Sequence, residues 1–269
     1  MIMNSPLLQG AFTRFNVGPY PFAFEYTGYK DEILASKTGA NLCVTLCSSP
    51  VYDVKGKDAV KLLNSLCVND FTTLKEVGRI RHAVICNDKG QILTDGVVMK
   101  IAEDVFRTYW LQSVLAYYVE EAQKKGMDVE GVDVSFKEYF YQIDGVRSLE
   151  ILEKASESDL HDIQFARQKM IKIAGKDVRI LRLGMSGTLA YEIHGPIEDG
   201  DEVYAKIWEA GQEFGIKKMG FLAYCMQHTE AGFPNINLHY PMPWFESDPG
   251  LAAYLKAHPG MGFYNENRV

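Results

Sequence analysis

Apolar residues recur at two spacings along this chain, and the switch between them marks out most of its elements. In KDAVKLLNSLC, residues 57–67, Val60, Leu63 and Leu66 fall at helical spacing, so a short helix is expected. The stretch from Ile80 to Leu111 changes to strand-like runs broken by turn signals at Asn87–Gly90 and Glu103–Asp104, which reads as a three-stranded meander. SVLAYYVEEAQKKG returns to helical spacing and stops at Gly126. VSFKEYFYQIDG alternates as a strand, and SLEILEKA reads as a helix with Ser148 as its cap. Residues 176–196 read as a hairpin, VRILRLG and AYEIHG, with Gly184 and Gly187 near the turn. GDEVYAKIWEAGQEFG is an amphipathic helix, and the centre of residues 217–234 is helical. Residues 40–56 suggest a strand pair, and Tyr20, Phe22, Phe24 and Tyr26 alternate as in a half-buried strand. The tail from 234 has prolines and aromatic residues without a period. Helices mixed with antiparallel hairpins point to an α+β fold.

One residue breaks its pattern. Asp95 sits between Ile92-Leu93 and Val97-Val98, where a strand would carry apolar side chains. A carboxylate in such a place needs a partner or a chemical task. Three further pieces carry polar residues in apolar surroundings. Asn69-Asp70 follow a helix, and as structure alone they are a helix exit or turn. Glu192 lies on the second strand of the hairpin, and reads equally as a solvent-facing residue of an alternating strand. Tyr224, His228 and Glu230 lie on the last helix, and as structure alone they are its ordinary polar face.

Composition narrows the function classes. The chain has 269 residues, 47% hydrophobic and 23% charged, enough for one large domain or two small ones. A net charge of -7 argues against a nucleic-acid surface. Five cysteines, an odd number without a CxxC pair, read as buried thiols in a reducing cytoplasm and not as a metal site. The N-terminus MIMNSPLLQGAF has no signal-peptide pattern, and no apolar run reaches the roughly 18 residues of a membrane span. Neither GxGxxG after a strand nor GxxxxGK[ST] is present, so nucleotide-binding loops of those kinds are not indicated.

Taken in order, four stretches resemble one family. GKDAVKLLNSLCVNDFTTL, NDKGQILTDGVV, RLGMSGTLAYEI and GFLAYCMQHTEAG are similar to successive motifs of the aminomethyltransferase family of the glycine cleavage system, over about residues 40–235. Within it, Thr94-Asp95-Gly96, Leu222-Ala223-Tyr224 and Tyr20-Pro21 resemble the branch of tetrahydrofolate-dependent O-demethylases that act on vanillate or syringate. That branch has a histidine pair where Cys47-Ser48 stand, a departure that bears on vanillate and not on folate.

The resemblance implies an aminomethyltransferase-like fold of two interleaved α/β subdomains with antiparallel sheets. Residues 1–55 and 142–240 would form the first, 56–141 an inserted second, and 241–269 a tail. Family members continue into a β-rich barrel, and no barrel-like run of strands follows residue 240, so the C-terminal barrel is expected to be missing. The implied cofactor is tetrahydrofolate in a central channel, with Glu192, Asn69, Asp70, Arg81 and Met185 around it. Asp95 and Tyr224 are the implied catalytic groups, and Tyr20, His82 and His228 line the substrate side. The implied partner is a small-molecule methyl donor, an aromatic methyl ether, with no nucleic acid or membrane, and with a missing C-terminal domain or a second copy of the chain as the macromolecular partner. Aminomethyl transfer in glycine cleavage, demethylation of a betaine or sulfonium compound, and folate binding without catalysis remain as alternatives. The cysteine-containing signature of the folate-binding iron–sulfur assembly factors is absent.

Overall fold

A computed structural model describes residues 8–17, 20–43, 49–233 and 248–258. The chain divides into two compact units, Met1–Ser48 with Phe136–Asn235, and Ser49–Ser135 with Ile236–Val269.

The first unit is built on a six-stranded sheet. Its strands are β3 (Asn41–Cys43), β9 (Glu138–Asp144), β10 (Gln168–Ile173), β11 (Lys176–Leu181), β12 (Ala190–Pro196) and β13 (Lys217–Met219), in the order β10-β11-β12-β9-β3-β13. All neighbours are antiparallel except β13 with β3. The strand period of two sorts β9 and β12 into opposite faces. Tyr139, Tyr141, Ile143, Tyr191 and Ile193 enter the apolar core together with Ile151 and Leu152 of α4 (Ser148–Ser156) and Val203 and Ile207 of α5 (Gly200–Gly211). Residues 142, 144, 192 and 194 take the other face. A hairpin of β1 (Thr13–Val17) and β2 (Tyr20–Glu25) packs its aromatic side on α6 (Phe221–Ala231). Phe15 stacks on Phe22 at 5.3 Å between ring centroids, and both rings contact Phe221. The N-terminus of α6 backs directly onto β2, because a Cβ at Gly220 would overlap the Phe24 carbonyl.

The second unit has a five-stranded antiparallel sheet, ordered β5-β6-β7-β4-β8. Its strands are β4 (Val51–Lys55), β5 (Ile80–Cys86), β6 (Ile92–Ala102), β7 (Val105–Tyr109) and β8 (Glu130–Asp133). The meander β5-β6-β7 is the expected one. α2 (Ala59–Leu66) and α3 (Gln112–Lys124) contribute Leu62, Leu63, Val114, Leu115 and Val119 to the core. α+β with antiparallel sheets is thus the observed class.

Three expectations need correction. Residues 41–55 do not form a strand pair: β3 joins β9 and β13 in one sheet, and β4 joins β7 and β8 in the other. Their shared alternation reflects burial in two sheets, not mutual pairing. Ser148 is the first helical residue of α4, behind Arg147, and its hydroxyl donates to the Leu189 carbonyl at 3.1 Å, so it does not cap the helix. The tail is not without structure: Pro249–Ala257 is a helix, α7, started by Asp248, which accepts from the amides of Gly250 and Leu251. Its Leu251 and Leu255 are buried in the second core.

Candidate functional site

Asp95 has both a partner and a reason for its place. On β6 the side chains of Thr94 and Gly96 face inward, and Asp95 and Val97 face outward. Gly96 tolerates no side chain, since its Cβ would overlap the Tyr109 carbonyl and crowd Leu111. The Thr94 hydroxyl donates to the Trp110 carbonyl at 3.2 Å. The register sets His82 opposite Val97, which makes Asp95 its diagonal neighbour on the same face. His82 Nε2 lies 3.1 Å from Asp95 Oδ2. The Asp95 side chain keeps 17% of its surface exposed and that of His82 keeps 50%. Asp95 is therefore at the surface of its sheet and not deep in the core, as the flanking apolar residues suggested.

Asn69 and Asp70 lie at the start of the next turn, and both have local occupations. Asn69 Oδ1 accepts from the Val84 amide at 3.0 Å. Asp70 caps the 3₁₀ turn Phe71–Thr73, accepting from the amide and hydroxyl of Thr72 and from Asn64. The Thr72 hydrogen bonds hold its carboxyl below the usual range, with a smaller contribution from Arg81.

In the first unit, the polar face of β9 and β12 is the most distinctive feature. Gln142, Asp144, Glu192 and His194 are all nearly or fully buried. Glu192 stands opposite Gln142, and Asp144 opposite Ala190. The face extends to Asn41 and Cys43 of β3, which pair with Asp144 and Gln142. Gln142 Nε2 donates to Asp144 Oδ1 at 2.9 Å, and Ser186 also bonds the Asp144 carboxyl. Glu192 Oε2 lies 3.3 Å from His194 Nε2 without the alignment of a hydrogen bond. Asn41 Oδ1, Asp144 Oδ2 and Glu192 Oε2 are buried acceptor atoms with no hydrogen-bond partner among the described residues. Such atoms are costly unless something polar meets them. Burial, reinforced by the neighbouring Asp144, pushes the Glu192 carboxyl up to about 8, and burial pushes Asp144 up to about 6 against the pull of Ser186 and Gln142.

Glu32 is an instructive contrast in the same unit. It is fully buried too, but its Oε1 accepts from the amides of Tyr26 and Thr27, and its Oε2 from that of Gly220. That carboxylate ties α1 (Tyr29–Thr38) to the start of α6, and has no acceptor oxygen to spare.

The helix α6 brings Tyr224 within electrostatic reach of Glu192, Asp144 and Cys43. Tyr224 is 8% exposed, and burial raises its hydroxyl well above the ordinary range. His228, one turn on, packs its ring 4.2 Å from the Tyr224 ring centroid. Glu230 is exposed and pairs with Lys37 at 3.1 Å. Met185 is half-buried in the loop 182–189, which packs tightly: a Cβ at Gly184 would overlap the Ala190 side chain. The backbone of Tyr20 is in β2, but its side chain lies outside the described residues, as do Cys47 and Ser48. Sequence reasoning missed Asp144, Gln142, Ser186 and Asn41. For Gln142 and Asp144 the signal was the strand EYFYQIDG, where they hold alternate positions on what turns out to be a buried face.

The structure groups Glu192 and Tyr224 in one unit, and Asp95, His82, Asn69, Asp70 and Arg81 in the other. Among the described residues, no helix is long and apolar enough to cross a membrane.

The sequence profile of the GCVT N-terminal domain matches residues 9–239, and the chain belongs to that family. Sesamin methylene transferase from Sinomonas sp. (strain No.22) is 56% identical over 271 residues, covering all of this chain and 58% of that protein. An aminomethyltransferase from Caldanaerobacter subterraneus subsp. tengcongensis is 33% identical over 214 residues, 77% of this chain and 56% of that protein. The crystal structure of the glycine cleavage system aminomethyltransferase T from Bartonella henselae is similar in fold, with a TM-score of 0.72 at 20% identity, over 85% of this chain and 61% of that one. The chain thus spans a little over half the length of the curated relatives it matches.

Proposed function

We propose that the chain is the folate-binding part of a one-carbon transferase, which removes a methyl group from a methoxylated aromatic and passes it to N5 of tetrahydrofolate. The observation that carries the reading is the unsatisfied polar face at Glu192. Buried acceptors without donors suit an amino-pyrimidine edge, which presents N–H groups to a carboxyl. Tetrahydrofolate, when bound, supplies the nitrogen nucleophile that takes the carbon.

The chain's own residues supply binding, charge and a donor. Glu192 holds the pterin edge, with Met185 packing beside it. Asp95, oriented by His82, stabilises positive charge that develops during transfer and accepts a proton. Arg81 meets the anionic tail of the folate, and Asn69 and Asp70 shape the turn beside it. Tyr224 serves the leaving oxygen. An aryl ether departs as a phenolate, and a hydroxyl whose own pKa is raised stays protonated and donates a hydrogen bond without surrendering its proton. His228 fixes the Tyr224 ring, and Tyr20 belongs to the substrate side.

A second reading is favoured by the Sinomonas relative, whose name specifies sesamin and a methylene group. The same residues would then pass a methylene group from an aromatic ether to the nitrogens of tetrahydrofolate, leaving phenolic oxygens behind, and Tyr224 would again face one of them. The deciding experiment incubates the full-length protein anaerobically with tetrahydrofolate and either syringate, vanillate or sesamin, and identifies the products by mass spectrometry. A demethylated phenol supports the first reading and loss of a methylene group the second. Turnover confined to glycine-derived aminomethyl, betaine or sulfonium donors would reject both.

A further inference from the structure

Asp144 has no counterpart among the motifs that identify the family, yet it is the most completely buried acid of the polar face. The register makes it the diagonal neighbour of Glu192 on adjacent strands, with both side chains on the same side of the sheet. Each carboxyl keeps one oxygen without a hydrogen bond. Among the described residues Asp144 is the one of the two held by donors, Gln142 Nε2 and the Ser186 hydroxyl, and Ser186 is itself 3.0 Å from the Thr188 hydroxyl. Two neighbouring acids in so dry a place do not both ionise readily. The better-held Asp144 gives up its proton first, and Glu192 keeps its own. The face then offers a carboxylate acceptor and a carboxylic-acid donor side by side.

We propose that Asp144 and Glu192 act as a single ligand-binding acid pair that shares one proton and reads a ligand edge carrying two N–H donors beside a carbonyl acceptor. The 2-amino-4-oxo-pyrimidine edge of a pterin has that order of groups: amino, ring N–H, carbonyl. The proposal therefore rests on the folate reading and adds Asp144 to it. A single carboxylate answers the two donors but leaves the carbonyl unmet, and a carboxyl that holds its proton supplies the missing donor.

Among the described residues, His194 on β12 and Tyr224 on α6 are titratable groups beside the pair, and Cys43 of β3 with Cys225 and His228 of α6 lie around Tyr224. Burial lifts the Tyr224 hydroxyl far out of the neutral range and the Cys225 thiol to about 12. His194, His228 and Cys43 are common to the wild type and to variants of the pair, so differences between those proteins report the pair itself.

The test is anaerobic calorimetric titration of the full-length protein with tetrahydrofolate between pH 5 and pH 9, for the wild type, Asp144→Asn and Glu192→Gln. Thermal unfolding of each protein without ligand establishes that it is folded. The wild type is expected to bind best near neutrality, and more weakly by about tenfold toward either end, where the pair holds two protons or none. Both variants are expected to lose the alkaline fall, because an amide cannot be deprotonated into a repelling pair. Should Asp144→Asn fail to fold, Glu192→Gln carries the same comparison. Wild-type binding that does not weaken above pH 8, or a folded Asp144→Asn with the wild-type profile, would overturn the pair and leave the folate reading standing. A folded wild type that binds no tetrahydrofolate at any pH would overturn both.

Discussion

Asp95 and Glu192 are both carboxylic acids on strands of antiparallel sheets, and their surroundings make them different reagents. Asp95 lies on the outer face of β6, partly exposed, with an imidazole 3.1 Å away. Glu192 lies on a buried face, beside a second acid, with one oxygen unmet and its proton retained up to about pH 8. In the proposed function the first answers charge that arises and disappears. The second, protonated beside the Asp144 carboxylate, helps to read a fixed pattern of donors and an acceptor. The difference shows that residue type and strand period name the candidates, but neighbours across the strands assign the work.

The largest effect should come from Asp95. Asp95→Ala is expected to lower turnover by about a hundredfold or more, with the unfolding temperature little changed, because the side chain lies on the outer face of β6 and bonds to the half-exposed His82. Turnover at the wild-type rate would remove Asp95 from the chemistry. Glu192→Gln should instead act on binding, weakening tetrahydrofolate by about tenfold to a hundredfold in calorimetry. If it lowered turnover at saturating folate and spared affinity, the two acids would have to exchange roles. Tyr224→Phe is expected to slow aryl-ether cleavage by roughly tenfold to a hundredfold while folate affinity is kept. Equal rates for the two proteins would favour a donor that is already cationic and needs no hydrogen bond to its leaving atom.

A smaller effect concerns stability without ligand. Glu192 and Asp144 release their protons near 4.5 and 3.8 when unfolded, and only near 8 and 6 when folded. Across that interval the folded chain binds more protons, so its stability should fall as pH rises from about 4 and level off above about 8. Scanning calorimetry should register a fall of at least about 3 °C in the unfolding temperature between pH 5 and pH 8, with its upper part removed in Glu192→Gln. A flat profile would mean that the two acids are better solvated than their burial indicates. The smallest effect is expected from Asp70→Ala. Its Oδ1 is engaged by Thr72 and Asn64 in closing the turn, so folate affinity should stay within about twofold while the unfolding temperature falls slightly.

Much of the fold was legible where one period dominated. The meander, α2, α3 and the 176–196 hairpin all have clear apolar spacing. α1 was not legible, because its buried face is Glu32, Ala35 and Ser36, and an acid and two small residues leave no apolar stripe. The strand pair at 41–55 failed for the opposite reason: alternation shows that a strand is half-buried and not which sheet receives it. For the site, the motifs pointed to Asp95, Glu192 and Tyr224, but burial, protonation and the company of Asp144 depend on cross-strand register, which no single stretch of sequence contains. Asp70 shows the reverse case, a motif residue whose visible occupation is to close a turn.

The close approach at Gly96 has a consequence for how this surface can change. Position 96 admits only hydrogen as a side chain, and position 94 is tied to the backbone at Trp110. Between these two fixed neighbours, the side chain at position 95 points away from the inner packing and meets His82. A different side chain there would alter the outer surface of the sheet and leave the contacts of positions 94 and 96 in place.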